Sequence, residues 1–208
     1  MSNSITDDIY SQLQGAPMQQ MAQQLGIGQT QMAGAISAAL PLLIGALGRN
    51  ASQPSGAEAL LGALGRDHAS SGGNIAGLIG SVLGGGAPTR QTDGAGMLGH
   101  IFGARQSTAS NAVGQTTGLG QDKANMLLRW LAPVVMAYLA KQMYERRQGA
   151  AQPTADELGQ VLGEETRQVQ QQGGLGSILG SVLDQDGDGQ LGLGDLLKAG
   201  MGALGGRR

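Results

Sequence analysis

The chain has 208 residues, 38 of them glycine, with a formal net charge of −2 and a pI near 5.6. That balance leaves no clustered Lys and Arg footprint for nucleic acid or an anionic membrane. The absence of cysteine rules out disulfides, thiolate catalysis and Cys-ligated zinc. With one Trp, one Phe and three Tyr, the core falls to Leu, Ile, Val, Met and Ala.

The start, MSNSITDDIYSQLQ, puts two acids where a secretory signal needs basic residues, and no apolar run follows. A cytoplasmic product with an uncleaved start is therefore expected. Further on, Met32, Ile36, Ala39, Leu43 and Leu47 recur at three or four residues, which predicts a long helix through the apolar stretch Ala33–Gly48. That stretch falls short of the ~20 residues of a membrane span and contains Pro41, so a buried core helix is expected and no membrane span. Pro41 should kink the helix or mark its boundary, because proline removes an i to i−4 hydrogen bond.

Gln19–Leu40 has the helix, glycine turn and helix outline of a DNA-reading motif, with Gln29, Thr30 and Gln31 opening the second helix. The next ten residues carry no charge, whereas a recognition helix needs polar and basic groups on its exposed face. Both helices read as core.

Self-comparison shows a duplication. Gly26-Ile27-Gly28-Gln29 aligns with Gly118-Leu119-Gly120-Gln121, Leu40-Pro41-Leu42-Leu43 with Ala132-Pro133-Val134-Val135, and Ile9-Tyr10 with Ile101-Phe102. With an insertion near Glu145–Ala150, Gln53-Pro54 also matches Gln152-Pro153, and Gly80-Ser81-Val82-Leu83 matches Gly180-Ser181-Val182-Leu183. Each copy reads as two short helices, a long proline-containing helix, a loop around Gln-Pro and two shorter helices. The repeats divide the chain into residues 1–90 and 91–208, with joints at Gly84–Asp93 and Arg146–Pro153. Leu127, Leu131, Val134, Val135 and Leu139 give the second long helix, and Thr154 and Glu157 stand at capping-box spacing before Leu158, Val161 and Leu162. Strands have no support.

His68 and His100, with Asp67 and Asp93 close by in sequence, are the only candidates for an acid–base pair. No nucleophile accompanies them, so helix-terminal or core histidines are expected. The glycine-rich stretches lack the Lys-Ser/Thr sequel of a phosphate loop. Glycines at i and i+4, Gly73 and Gly77 and again Gly176 and Gly180, open strips for close helix packing within the chain; exposed, such a strip would serve self-association.

The duplicated pattern resembles the YidB-like bacterial family called domain of unknown function 937. It does so through LPLLIGAL (Leu40–Leu47), Arg66-Asp67-His68, DGAGMLGHIFG (Asp93–Gly103) and LAPVVM (Leu131–Met136). The resemblance extends over nearly the whole chain and implies a multihelical, all-α fold of homeodomain-like repeats. It implies no activity.

Residues 184–195, DQDGDGQLGLGD, have the spacing of an EF-hand calcium loop. Asp184, Asp186 and Asp188 occupy positions 1, 3 and 5, and Gly189 stands at 6, where the chain bends sharply. Gln190 offers its carbonyl at 7 and Asp195 closes the loop at 12. Apolar flanks, including Leu179 and Val182 before and Leu196 and Leu197 after, supply helices to hold it. Asp195 is a methylene shorter than the usual Glu and Gly192 leaves position 9 to water, so Ca²⁺ of moderate affinity is expected, with Mg²⁺ competing. The first copy has Gly84-Gly85-Gly86 in place of the carboxylates. A non-enzymatic calcium-binding helical protein acting through a protein partner or self-association follows from these features. The alternatives are a DNA-binding helix-turn-helix protein and an enzyme using His68 or His100.

Overall fold

Helix-forming sequence in this chain is punctuated by glycine and Gln-Pro rather than by polar loops, and the elements follow that punctuation. The computed structural model describes residues 4–68, 75–84, 89–145 and 153–171. Among these residues the fold is all-helical, with no strand. The first half holds α1 (Ile5–Leu13), α2 (Ala16–Leu25), α3 (Gln29–Ala51), α4 (Pro54–Ala63) and α5 (Ile75–Leu83), with a π-helical turn at Leu64–His68. The second holds α6 (Gly94–Phe102), α7 (Gln106–Thr117), α8 (Gln121–Glu145) and α9 (Ala155–Gln171), with a 3-10 turn at Gly103–Arg105.

Local chemistry sets the ends. Ser4 caps α1 by accepting from the Asp7 amide at 3.0 Å, and Asp93 caps α6 by accepting from the Gly96 amide at 3.0 Å. Gly26 and Gly118 close α2 and α7 in the left-handed region, φ 60° and 69°, where a side chain would be strained. Thr154 and Glu157 form a reciprocal capping box: the Thr154 amide donates to Glu157 Oε2 at 3.1 Å and the Glu157 amide to Thr154 Oγ1 at 3.4 Å.

The two prolines do not bound their helices. Both α3 and α8 run through them, and both prolines are buried. Interior proline costs about 3 kcal/mol, and burial on either side offsets it: Leu40, Leu42, Leu43 and Ile44 flank Pro41 at 2% exposure or less. By length and hydropathy α3 would pass for a membrane span, yet 61% of its apolar window is buried by the other helices. It is the central helix of the fold.

One apolar cluster runs through both halves, from Ile5 and Leu13 through Leu43 and Leu64 to Leu128, Leu139 and Leu162. The halves interlock by exchanging their later helices. α9 packs on α3 and α4, while α5 and the Leu64–His68 turn pack on α8. The crossing of α3 and α9 is close because Gly48 has no side chain; a Cβ there would stand 2.5 Å from Thr166 Oγ1 and 3.2 Å from the Leu162 carbonyl.

Polar contacts tie the remaining elements down. Glu165, buried on α9, accepts from the Thr6 amide at 3.1 Å and the Thr6 hydroxyl at 3.2 Å. Tyr138 of α8 donates to Asp8 Oδ2 of α1 at 2.7 Å and accepts from Gln142 Nε2 at 2.8 Å.

Candidate functional site

The expected calcium loop, with Asp184, Asp186, Asp188, Gln190 and Asp195, lies outside the described residues, as do Gly73, Gly176 and Gly180 and residues 85–88 and 146–152 of the two joints. Among the described residues, no group of three His, Asp or Glu side chains converges to hold a metal ion.

The helix pair with the DNA-reading outline is present as α2 and α3, joined through Gly26, Ile27 and Gly28. Its second helix is spent on the core. Met32, Ile36, Leu40, Leu43 and Leu47 are each 1% exposed or less. Gln29 and Thr30 are exposed, and Gln31 donates to the Thr117 carbonyl at the end of α7 at 3.3 Å. That contact ties the start of α3 to the neighbouring helix pair.

His100 is exposed on the last turn of α6, beside a cleft of about 510 Å³ between α3, α4, α6 and α8. The floor is apolar: Leu47, Leu60, Met97, Ile101 and Met136. On the rim stand Arg66 from the π-helical turn, Arg90 from the turn before α6, Asp93 and His100. Ala59 forms an exposed part of the α4 wall.

Helix ends position this site. Asn50, on the last turn of α3, donates to the carbonyls of His100 at 3.4 Å and Ile101 at 3.1 Å, fixing the end of α6 to α3. Asp93 spends one oxygen on the Gly96 amide. It shares the cleft with His100, as the two sequence neighbours suggested, but its hydrogen bond caps the helix. Gly56 sits so close to the Asn50 carbonyl that a Cβ would collide with it, which lets α4 turn back against the end of α3.

Sequence reading singled out His100 and Asp93 but missed Arg90, Asn50 and the two methionines of this cleft. No local motif joins them, since they come from four separate elements. The nearest signals were the Arg66-Asp67-His68 and GMLGHIFG stretches that carried the family resemblance.

No curated protein and no solved structure matches this chain. A family model described as a bacterial protein of unknown function, DUF937, matches residues 7–142, from α1 nearly to the end of α8. The matched span is narrower than the sequence resemblance implied and stops short of α9 and of the calcium loop. It covers both long helices, both glycine-closed helix pairs and every lining residue of the cleft, and on that basis the chain belongs to the bacterial DUF937 family.

Proposed function

We propose that this is a non-enzymatic, calcium-binding helical protein that works through assembly or contact with another protein. The observation that carries the reading is the spacing of Asp184, Asp186, Asp188, Gly189, Gln190 and Asp195, which follows an EF-hand loop at positions 1, 3, 5, 6 and 7 and places an acid at 12. Four carboxylates and a backbone carbonyl form a hard oxygen donor set suited to Ca²⁺, with Mg²⁺ as competitor. Bound there, the ion would offset half the charge of four neighbouring acids and draw the flanking apolar segments together, a structural rather than a sensing role.

The order of helices supports the rest of the reading. A short pair closed by a left-handed glycine, then a long helix through a buried proline, occurs in α1–α3 and again in α6–α8. We read this as tandem homeodomain-like repeats, with the loop as an addition to the second, in a cytoplasmic protein. DNA binding draws no support from a second helix buried in the core. An enzyme using His100 would rest only on its place beside Asp93; His68 offers no more than its neighbour Asp67.

Calorimetric titration of Ca²⁺ into the full chain tests the proposal. One site with a Kd on the order of 10⁻⁵ M is expected, weakened at least tenfold by Asp184→Ala. Light scattering with and without Ca²⁺ reads the assembly step. Wild-type heats indistinguishable from those of Asp184→Ala would overturn the calcium reading, and an unchanging monomer mass would remove self-association.

A further inference from the structure

The cleft between α4 and α6 has an electrostatic character opposite to that of the chain as a whole. Arg66 and Arg90 reach its rim from two different turns, and both residues are exposed. Neither side chain is engaged in a hydrogen bond or ion pair among the described residues. The Arg66 guanidinium rests over the glycine face of α4, 3.7 Å from where a Gly62 Cβ would stand. No described carboxylate is hydrogen-bonded or ion-paired to it.

Of the other polar lining groups, His100 stands exposed on the rim, while Asp93 and Asn50 are committed elsewhere. Asp93, the only acid among the described lining residues, caps α6, and the Asn50 amide holds the α6 carbonyls. Two guanidinia therefore face one partly satisfied carboxylate, above a floor of Leu60, Met97, Ile101 and Met136. A volume of about 510 Å³ lies within the usual range for small-molecule sites, and an apolar lining with a few convergent polar groups is their ordinary composition.

We propose that this cleft binds a small amphipathic anion. A carboxylate or phosphate head pairs with Arg66 and Arg90, whose planar donors match either group, and an apolar body lies against Leu60, Met97 and Met136. Binding at this site is independent of the calcium loop.

Methionine methyl NMR on the full chain provides the test, because Met97 and Met136 line the cleft while Met32 is wholly buried in the core. Decanoate and decyl phosphate, kept below their micellar concentrations, are titrated separately to distinguish the two head groups; acetate and decanol serve as probes lacking the body or the charge. Saturable shifts at Met97 and Met136, with Met32 unmoved, are expected for at least one of the two anions.

The double substitution Arg66→Gln and Arg90→Gln should weaken that binding at least tenfold and leave the Met32 signal in place, since both residues are exposed. Ala59→Trp, which fills the α4 wall without changing charge, should weaken it comparably. Cleft methyls indifferent to both anions would overturn the proposal. So would decanol binding as tightly as decanoate, or an affinity untouched by loss of both arginines.

Discussion

Two glycines of α6 carry opposite expectations, although both sit in a helix where glycine is intrinsically unfavourable. Gly94 is buried against α8, and a Cβ added there would collide with the carbonyl oxygen of Arg129. Backbone meets backbone at that point, so no rotamer change relieves the overlap. Gly94→Ala should cost about 3 kcal/mol, the upper end of ordinary overpacking. Gly99, on the same helix, is exposed and has open space where its Cβ would be. Gly99→Ala should stabilise by about 0.5–1 kcal/mol through the smaller entropy of the unfolded chain. Urea unfolding of the two variants checks the pair. A Gly94→Ala midpoint equal to wild type would mean that α6 and α8 are not in contact as described.

At the level of elements, Glu165 shows how a helix end can be completed from far away in sequence. The Thr6 amide belongs to the first turn of α1, where backbone donors lack intrahelical partners, and Ser4 already serves the Asp7 amide. Glu165 of α9 supplies the missing acceptor and also takes the Thr6 hydroxyl. Because Glu165 is only 6% exposed, Glu165→Ala leaves a shielded donor unpaired and should destabilise by about 2 kcal/mol. Glu165→Gln keeps a carbonyl acceptor and should lose roughly half of that. Chemical denaturation distinguishes the two; equal losses would assign the effect to packing alone.

What sequence could show follows from the range of each interaction. The capping box at Thr154, the glycine turn between α2 and α3 and the helical periodicity are local, and they stand where the spacing put them. The fate of the prolines was left open between kink and boundary, because their cost is offset by burial that only the fold provides. The partner of α9 was illegible for the same reason: an amphipathic stripe states that one face is covered, not by which helix. The cleft assembled from Arg66, Arg90, Asn50 and Met136 has no signature, whereas the spacing of acids proposed as a calcium loop is contiguous and can be read from sequence alone.

For the whole molecule, the exchange of helices decides how the two halves behave on unfolding. If each copy packed on itself, two cores would form and melt separately. Instead α9 covers the long helix of the other half, and α5 and the Leu64–His68 turn pack on α8, so that each long helix loses part of its cover when the other half is lost. A single cooperative transition is expected. Trp130 fluorescence reports α8 alone, while far-UV circular dichroism sums helix over both copies, so the two probes should give coincident urea midpoints. Leu162 of α9 is fully buried, and its backbone lies at the Gly48 crossing with α3. Leu162→Ala should therefore cost about 2–5 kcal/mol and move both probes together, although Leu162 lies on α9 and Trp130 on α8. A variant that lowers the dichroism midpoint while the Trp130 midpoint stays put would show that the halves unfold independently, and the interlocked core would have to be abandoned.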